Sequence, residues 1–220
     1  MATVTGDVLG HSQVGVHVSI IGDVLFHPLS IDEECEELLK TTFDLEMVPF
    51  SIGGSTLLGS LLRGNKNGIA VADIASEQDL DKLTSFGEVV IMESGVNAAG
   101  NLIACNNHGA VVGMTIPGPG CDLISEILGV PSTRVRISGQ DTVGSALVAN
   151  DKGVLAHPDI SESEASVVSE ALGVPLMVGT VCFGSPYVGA GCITSNDSVL
   201  AGTGTTGPEL NRIEDALGLI

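Results

Sequence analysis

Gly15, Gly59, Gly100, Gly144 and Gly189 divide the 220-residue chain into nearly equal parts, with separations of 44, 41, 44 and 45 residues. After each comes an apolar stretch: VHVSII, SLLRG, NLIAC, SALVAN and AGCITS. Self-similarity at a period of about 20–50 residues marks a chain built by repeating one supersecondary unit. Nine residues past three of these lead glycines stands a second glycine, in Asn67-Gly68, His108-Gly109 and Lys152-Gly153. Such dipeptides favour tight hairpins whose two central residues take positive φ. A second apolar strand follows: IAVA, AVVG and VLAHP.

Helix punctuation recurs in the same register. Ser76, Ser161 and Thr206 lie seventeen residues after their lead glycines, and Ser30 lies two residues earlier in the first unit. Each opens a capping box (Ser30/Glu33, Ser76/Asp79, Ser161/Glu164, Thr206/Glu209), in which the hydroxyl accepts the N3 amide and the acid returns to the cap. The third unit uses Pro117-Gly118-Pro119-Gly120 before Asp122 instead. Gly129, Gly173 and Gly218, each preceded by Leu, are expected to end helices in the left-handed conformation. Third strands are read around Val48, Val89 and Val178, eleven residues before the next lead glycine, and in TRVRI at the fourth boundary. The fifth unit lacks its third strand, and Val4, eleven residues before Gly15, fits the vacancy. The pattern predicts five β-β-α-β units forming one closed α/β domain over residues 1–220, with pseudo-fivefold symmetry and strand edges hidden by closure. Small lead-strand residues suit strands crowded around a narrow axis, with the helices outside.

Composition bounds the partners. Eight Lys and Arg against 27 Asp and Glu give a net charge of −19, which argues against a basic groove for nucleic acid and against anionic membranes. No apolar run reaches the ~18 residues of a membrane span, and the N-terminus does not read as a signal peptide. Cys35, Cys105, Cys121, Cys182 and Cys192, odd in number and without CxxC pairing, suit a reducing cytoplasm.

Several motifs are weighed and set aside. Gly202-Thr203-Gly204-Thr205-Thr206-Gly207 matches GxGxxG, but a dinucleotide site needs a following strand and a later acid, and the segment falls in the helix-start slot. His27-Pro28 and His157-Pro158 recur at matching places and read as structural. His108 falls in a hairpin turn, and His11 and His17 lack partners at metal-ligand spacing. No catalytic, cofactor or metal site is expected. Cys192 and Cys105 on their lead strands leave an enzymatic alternative, a thiol activated by His157 or His17 for attack on a carbon centre.

The segments Ser51–Leu83, Val143–Pro158 and above all Thr205–Ile220 (TTGPELNRIEDALGLI) resemble archaeal translation initiation factor 6, a ribosome anti-association factor. The resemblance covers essentially the whole chain. It implies the pentein fold, a five-bladed α/β propeller, and binding to the large ribosomal subunit where it faces the small one. It also implies a part in large-subunit maturation, without catalysis or cofactor; the related five-unit scaffold supplies the alternative, a guanidine-modifying hydrolase or transferase with Cys192 as nucleophile. The positions after the lead glycines that match the family's contact face are Ser60, Asn101, Ser145 with Ala146, and Ala190, with Glu209 sharing the surface. The acidic charge favours docking of a monomer on a basic ribosomal protein rather than on RNA phosphates.

The same charge implies a salt-accumulating cytoplasm. Self-repulsion among 27 carboxylates is strong in dilute buffer, whereas at 1 M salt the Debye length falls to about 3 Å. The melting temperature is therefore expected to rise between low and molar salt, and a scan in which it stays level removes the idea.

Overall fold

The computed structural model describes residues 2–93 and 97–220. It opens with β1 (Ala2–Gly6), after which one sequence of elements recurs five times. The first unit has a single helical turn, α1 (Val14–His17), then β2 (Ser19–Ile21), β3 (Val24–Pro28), a longer helix α2 (Glu33–Thr42) and β4 (Glu46–Phe50). The second has α3 (Leu58–Leu61), β5 (Leu62–Gly64), β6 (Gly68–Ala72), α4 (Glu77–Leu83) and β7 (Glu88–Met92). The third has α5 (Ala99–Leu102), β8 (Ile103–Cys105), β9 (Ala110–Gly113), α6 (Gly118–Leu128) and β10 (Ser132–Val135). The fourth has α7 (Val143–Ala146), β11 (Leu147–Ala149), β12 (Val154–Ala156), α8 (Glu162–Leu172) and β13 (Leu176–Val178). The fifth has α9 (Val188–Gly191), β14 (Cys192–Thr194), β15 (Ser198–Gly202) and α10 (Gly207–Ala216).

These elements make a mixed α/β protein of five three-stranded sheets. In each, the second strand is central, antiparallel to the first and parallel to the third. The fifth sheet takes its third strand from the opposite end of the chain: β1 runs parallel to β15, with Val4 opposite Leu200. The apolar interior is divided into five clusters, each drawn from two neighbouring units. One joins Ile193 and Leu200 of the fifth unit to Val14, Leu25 and Leu39 of the first. Burying each Leu or Ile there contributes about 1.5–3 kcal/mol, so the unit interfaces carry most of the stability.

Three local expectations are corrected. The lead glycines do not begin strands; each is the second residue of a one-turn helix that precedes the first strand. These turns touch in a cycle, α1 on α3, α3 on α5, α5 on α7, α7 on α9 and α9 on α1. A Cβ added to any lead glycine would lie closer than 3.0 Å to the carbonyl oxygen of another, Gly15 meeting Gly189, Gly59 meeting Gly15, and so on through Gly100, Gly144 and Gly189. The crowding at the axis is thus backbone against backbone.

The hairpin glycines Gly68, Gly109 and Gly153 do not take positive φ. They are needed because a Cβ there would strike the carbonyls of Ile127, Ala171 and Ala216, at the ends of the next unit's long helix. The turns are closed by buried asparagines. Asn106 Oδ1 accepts from His108 N and Gly109 N at 2.9 and 3.0 Å, while its Nδ2 donates to Asn150 O and Leu172 O at 3.0 and 2.9 Å. Asn65 and Asn150 repeat the arrangement, so each of the three turns is stitched to the next unit and to a terminal helix carbonyl.

The cap of α2 is Asp32, whose side chain accepts from Cys35 N at 2.8 Å, rather than Ser30. Asp32 stands seventeen residues after Gly15, and Pro117, which caps α6, stands seventeen after Gly100. The register therefore holds in all five units, with the carboxylate and the proline taking the serine's place. The boxes at Ser76/Asp79 and Ser161/Glu164 form as expected, and Gly129, Gly173 and Gly218 take φ of 61, 67 and 62°.

Gly100→Ala is expected to cost about 3–5 kcal/mol, because the clash is with backbone that other units hold in place. Gly118, at the start of α6, has nothing within 4 Å of its added Cβ. Gly118→Ala should be neutral or stabilising by up to about 1 kcal/mol. Thermal melts of the two variants check the contrast.

Candidate functional site

Strand direction separates two ends. The first strand of each sheet starts at the lead turn and finishes at the hairpin, and the third strand, antiparallel to the first, finishes back beside the lead turn. The tips joining third strand to lead turn therefore sit with the lead turns. Four described tips are closed by single bridges, Val8–His11, Ile52–Ser55, Ile137–Gln140 and Val181–Ser185. At the other end the five hairpins surround an open depression of about 760 Å³, with Asp23, Asn65, Asn106, Asn150 and Ser195 on its wall.

The capping acids fasten the tips. Asp79 Oδ2 accepts from Gly53 N at 2.9 Å as well as from Ser76 N, tying the cap of α4 to the tip that follows β4. Glu164 receives the backbone of Ser138 and Gly139 in the same way. Glu209 has the fullest set: Thr206 N, Thr206 Oγ1, Thr180 Oγ1, Phe183 N and Gly184 N all donate to it, at 2.7–3.2 Å. Burial opposes its charge, but these donors more than offset that and hold its carboxyl at about 2, against an ordinary 4.5.

Asn101 and Ser145 are half-buried on adjoining lead turns and touch, Ser145 Oγ donating to Asn101 Oδ1 at 3.2 Å. Ala190 is half-buried on α9. Ser60 and Ala146 occupy equivalent turns but are buried among them. Glu209 is buried too, its carboxylate turned to the 181–185 tip that it orders. That tip carries a residue that sequence reasoning missed. Phe183 is 83% exposed and holds φ at +62°, a conformation costly for an aromatic residue. Leu9, Leu57 and Tyr187 are exposed at the same end. The signal was in VCFGS, where counterpart tips read IGGS and ISGQ.

The cysteine alternative is placed unfavourably. Cys192 is buried, its Sγ donates to Val188 O at 3.1 Å, and burial pushes its thiol far up. A nucleophilic thiol needs the opposite, a thiolate favoured by a nearby positive group. His157 packs edge-on against Tyr187 and His17 lies against Thr56 O at 3.4 Å while stacking on His11.

The fold and site define a repeated α/β scaffold that presents one end of ordered, partly apolar tips. The chain belongs to the eIF-6 family, which matches residues 3–216. Translation initiation factor 6 of Natronomonas pharaonis is 45% identical over 213 residues, covering 96% of both chains. The proteins of the same name from Halorubrum lacusprofundi and Methanospirillum hungatei are 44% and 34% identical, again over 96% of each chain.

Glu209 makes stability pH-dependent with a definite sign. Its folded-state pKa lies below the unfolded one, so its contribution is full above about 4.5 and is lost as pH falls toward about 2. Glu209→Gln is expected to be about 2 kcal/mol less stable at pH 7, the gap from wild type closing across that window. Paired melts at pH 7, 4 and 2.5 check it.

Proposed function

We propose that this protein binds the joining surface of the large ribosomal subunit and keeps the small subunit away by its bulk, with a further part in large-subunit maturation. The tip end carries the reading: Asn101, Ser145 and Ala190 lie on lead turns at the same end as exposed Phe183, Tyr187 and Leu57, so that polar positions and apolar anchors share one end. Such anchors contribute disproportionately to protein–protein affinity, and a patch of about 1,600 Å² in total suffices for a specific complex. The net charge of −19 favours a basic ribosomal protein as the contact and gives no counterion-release gain on RNA.

The obstacle must be stiff. We read the five units as a single closed pentein propeller over residues 1–220, working as a cytoplasmic monomer. The pairing of β1 with β15 and the cycle of lead-turn contacts support closure. The family membership and the name carried by the relatives support the role in translation.

Sedimentation of salt-washed subunits with added protein tests this. Wild type should migrate with the large subunit and reduce the joined-ribosome peak. Asn101→Arg, Ser145→Arg and Phe183→Asp should each weaken large-subunit binding about tenfold or more without changing the melting temperature by more than a few degrees. Variants that co-sediment like wild type would put the docking surface elsewhere, and wild type that leaves the joined peak intact would refute anti-association.

A further inference from the structure

β7 is the outer strand of the sheet β5-β6-β7, and no other strand of the described residues pairs with its free side. A free edge is a template for another strand, and proteins ordinarily blunt it. The third-strand position opposite the twelfth residue after each lead glycine is Thr5, Pro49, Ile91, Arg134 or Val178. In four of the sheets Gly6, Glu46, Pro131 and Gly179, each an odd number of residues away, hydrogen-bond toward the central strand, so this position turns its own backbone outward. The shared register gives Ile91 the same attitude. The other edges are blunted. Pro49 offers no N–H, and Arg134 brings a charge to β10, its Nη2 donating to Met114 O at 2.7 Å. Arg212 of α10 lies 3.9 Å from the sulfur of Met177 on the three-residue β13, and β1 carries Thr3 and Thr5. β7 reads EVVIM, with neither proline nor cation.

Beside this edge runs an open groove of about 540 Å³ between β7 and α6. Val90 and Met92 pack with Ile124 of α6 at its base, while Leu123 is 44% and Ile91 39% exposed. Residues 88–93 and α6 together carry Glu88, Glu93, Asp122 and Glu126, and no Lys or Arg. The elements packed on them add Lys82 of α4 and Arg134, against Glu77, Asp79 and Asp81 of α4. We propose that this groove takes up an extended segment of a partner protein as a fourth strand on β7, apolar at alternate positions and basic at those between. The open N–H and C=O groups of β7 bond its backbone. One row of its side chains meets Leu123 and Ile127, and its Lys or Arg side chains answer the four acids. A second copy of this chain is the poorer occupant, because pairing β7 with itself brings two sets of acids together with nothing to answer them. The groove shares no residue with the docking end and does not rest on the ribosomal reading.

A fluorescent synthetic nonapeptide, Lys-Val-Arg-Val-Lys-Val-Arg-Val-Lys, is the probe, its binding followed by anisotropy in about 0.15 M salt. Wild type should bind it with a Kd of about 10–100 μM, and replacing every Lys and Arg of the peptide by Glu should raise the Kd at least tenfold. Ile91→Pro, which closes the edge as Pro49 does in its own sheet, should weaken binding at least tenfold and melt within a few degrees of wild type. Leu123→Lys, which sets a cation on the groove wall, should weaken it about as much. Backbone amide shifts on peptide addition should concentrate at residues 89–93 and 119–127. No binding at about 1 mM peptide overturns the proposal. So does equal binding by wild type and both variants, which would mean diffuse attraction to an acidic chain. A wild-type dimer in sedimentation equilibrium that Ile91→Pro dissolves would give the groove to a second copy and overturn it too. If Ile91→Pro fails to fold, Leu123→Lys and the amide shifts decide the question.

Discussion

Contact between bare backbones at the five lead glycines is the constraint on which the rest depends. Each glycine faces the carbonyl of another at a distance that no side chain permits, and the sequence of contacts returns from Gly189 to Gly15. With the lead turns held that close, the first strands of neighbouring sheets are brought into contact behind them. Neighbouring units are joined by apolar clusters that both contribute to. A bulkier residue at any lead position would push two units apart and spoil two clusters at once, so the tolerance at these five positions is much lower than on the surface.

Much of this was legible because repetition turns weak local signals into a register. Ser76, Ser161, Gly129, Gly173 and Val4 were each placed correctly from their offset to a lead glycine, and the offset was a better guide than residue type: it pointed to Asp32 and Pro117 where the serine rule pointed to Ser30. What stayed hidden depends on three-dimensional proximity. Gly68 looks like a positive-φ turn residue, yet its role is to admit the backbone of a helix from the next unit. Asn65, Asn106 and Asn150 stand six residues after their lead glycines, a visible signal, but nothing in the sequence says that their amides reach across units. Of the residues expected at the contact face, Asn101 and Ser145 are half-buried on their lead turns, whereas Ser60, which like them follows its lead glycine directly, and Ala146, two residues after its own, are buried. Phe183 escaped because a reading built on recurrence overlooks the one tip that departs from it.

The capping boxes have a second duty that ties fold to function. An N3 carboxylate ordinarily satisfies an orphan amide at its own helix start. Asp79, Glu164 and Glu209 do this and also accept amides from the tip that leads into the next lead turn, so one charge orders two elements. Helix N-termini favour negative charge, which strengthens the arrangement. The effect is greatest at Glu209, whose donors fix the 181–185 tip with Phe183 turned outward. A left-handed aromatic residue would relax into ordinary backbone if its tip were loose. Its strain persists because the surrounding hydrogen bonds over-determine it.

The two ends of the axis are therefore built differently. At the tip end, carboxylates are consumed in hydrogen bonds and apolar side chains are left outside, which suits contact with another protein. At the hairpin end, asparagine amides are consumed in stitching units together and the wall left facing solvent is polar. Arg63 sits between them, its Nη2 reaching Gly100 O, a carbonyl that the lead turns also crowd upon. A guanidinium at that point bonds directly to the contact on which the architecture rests.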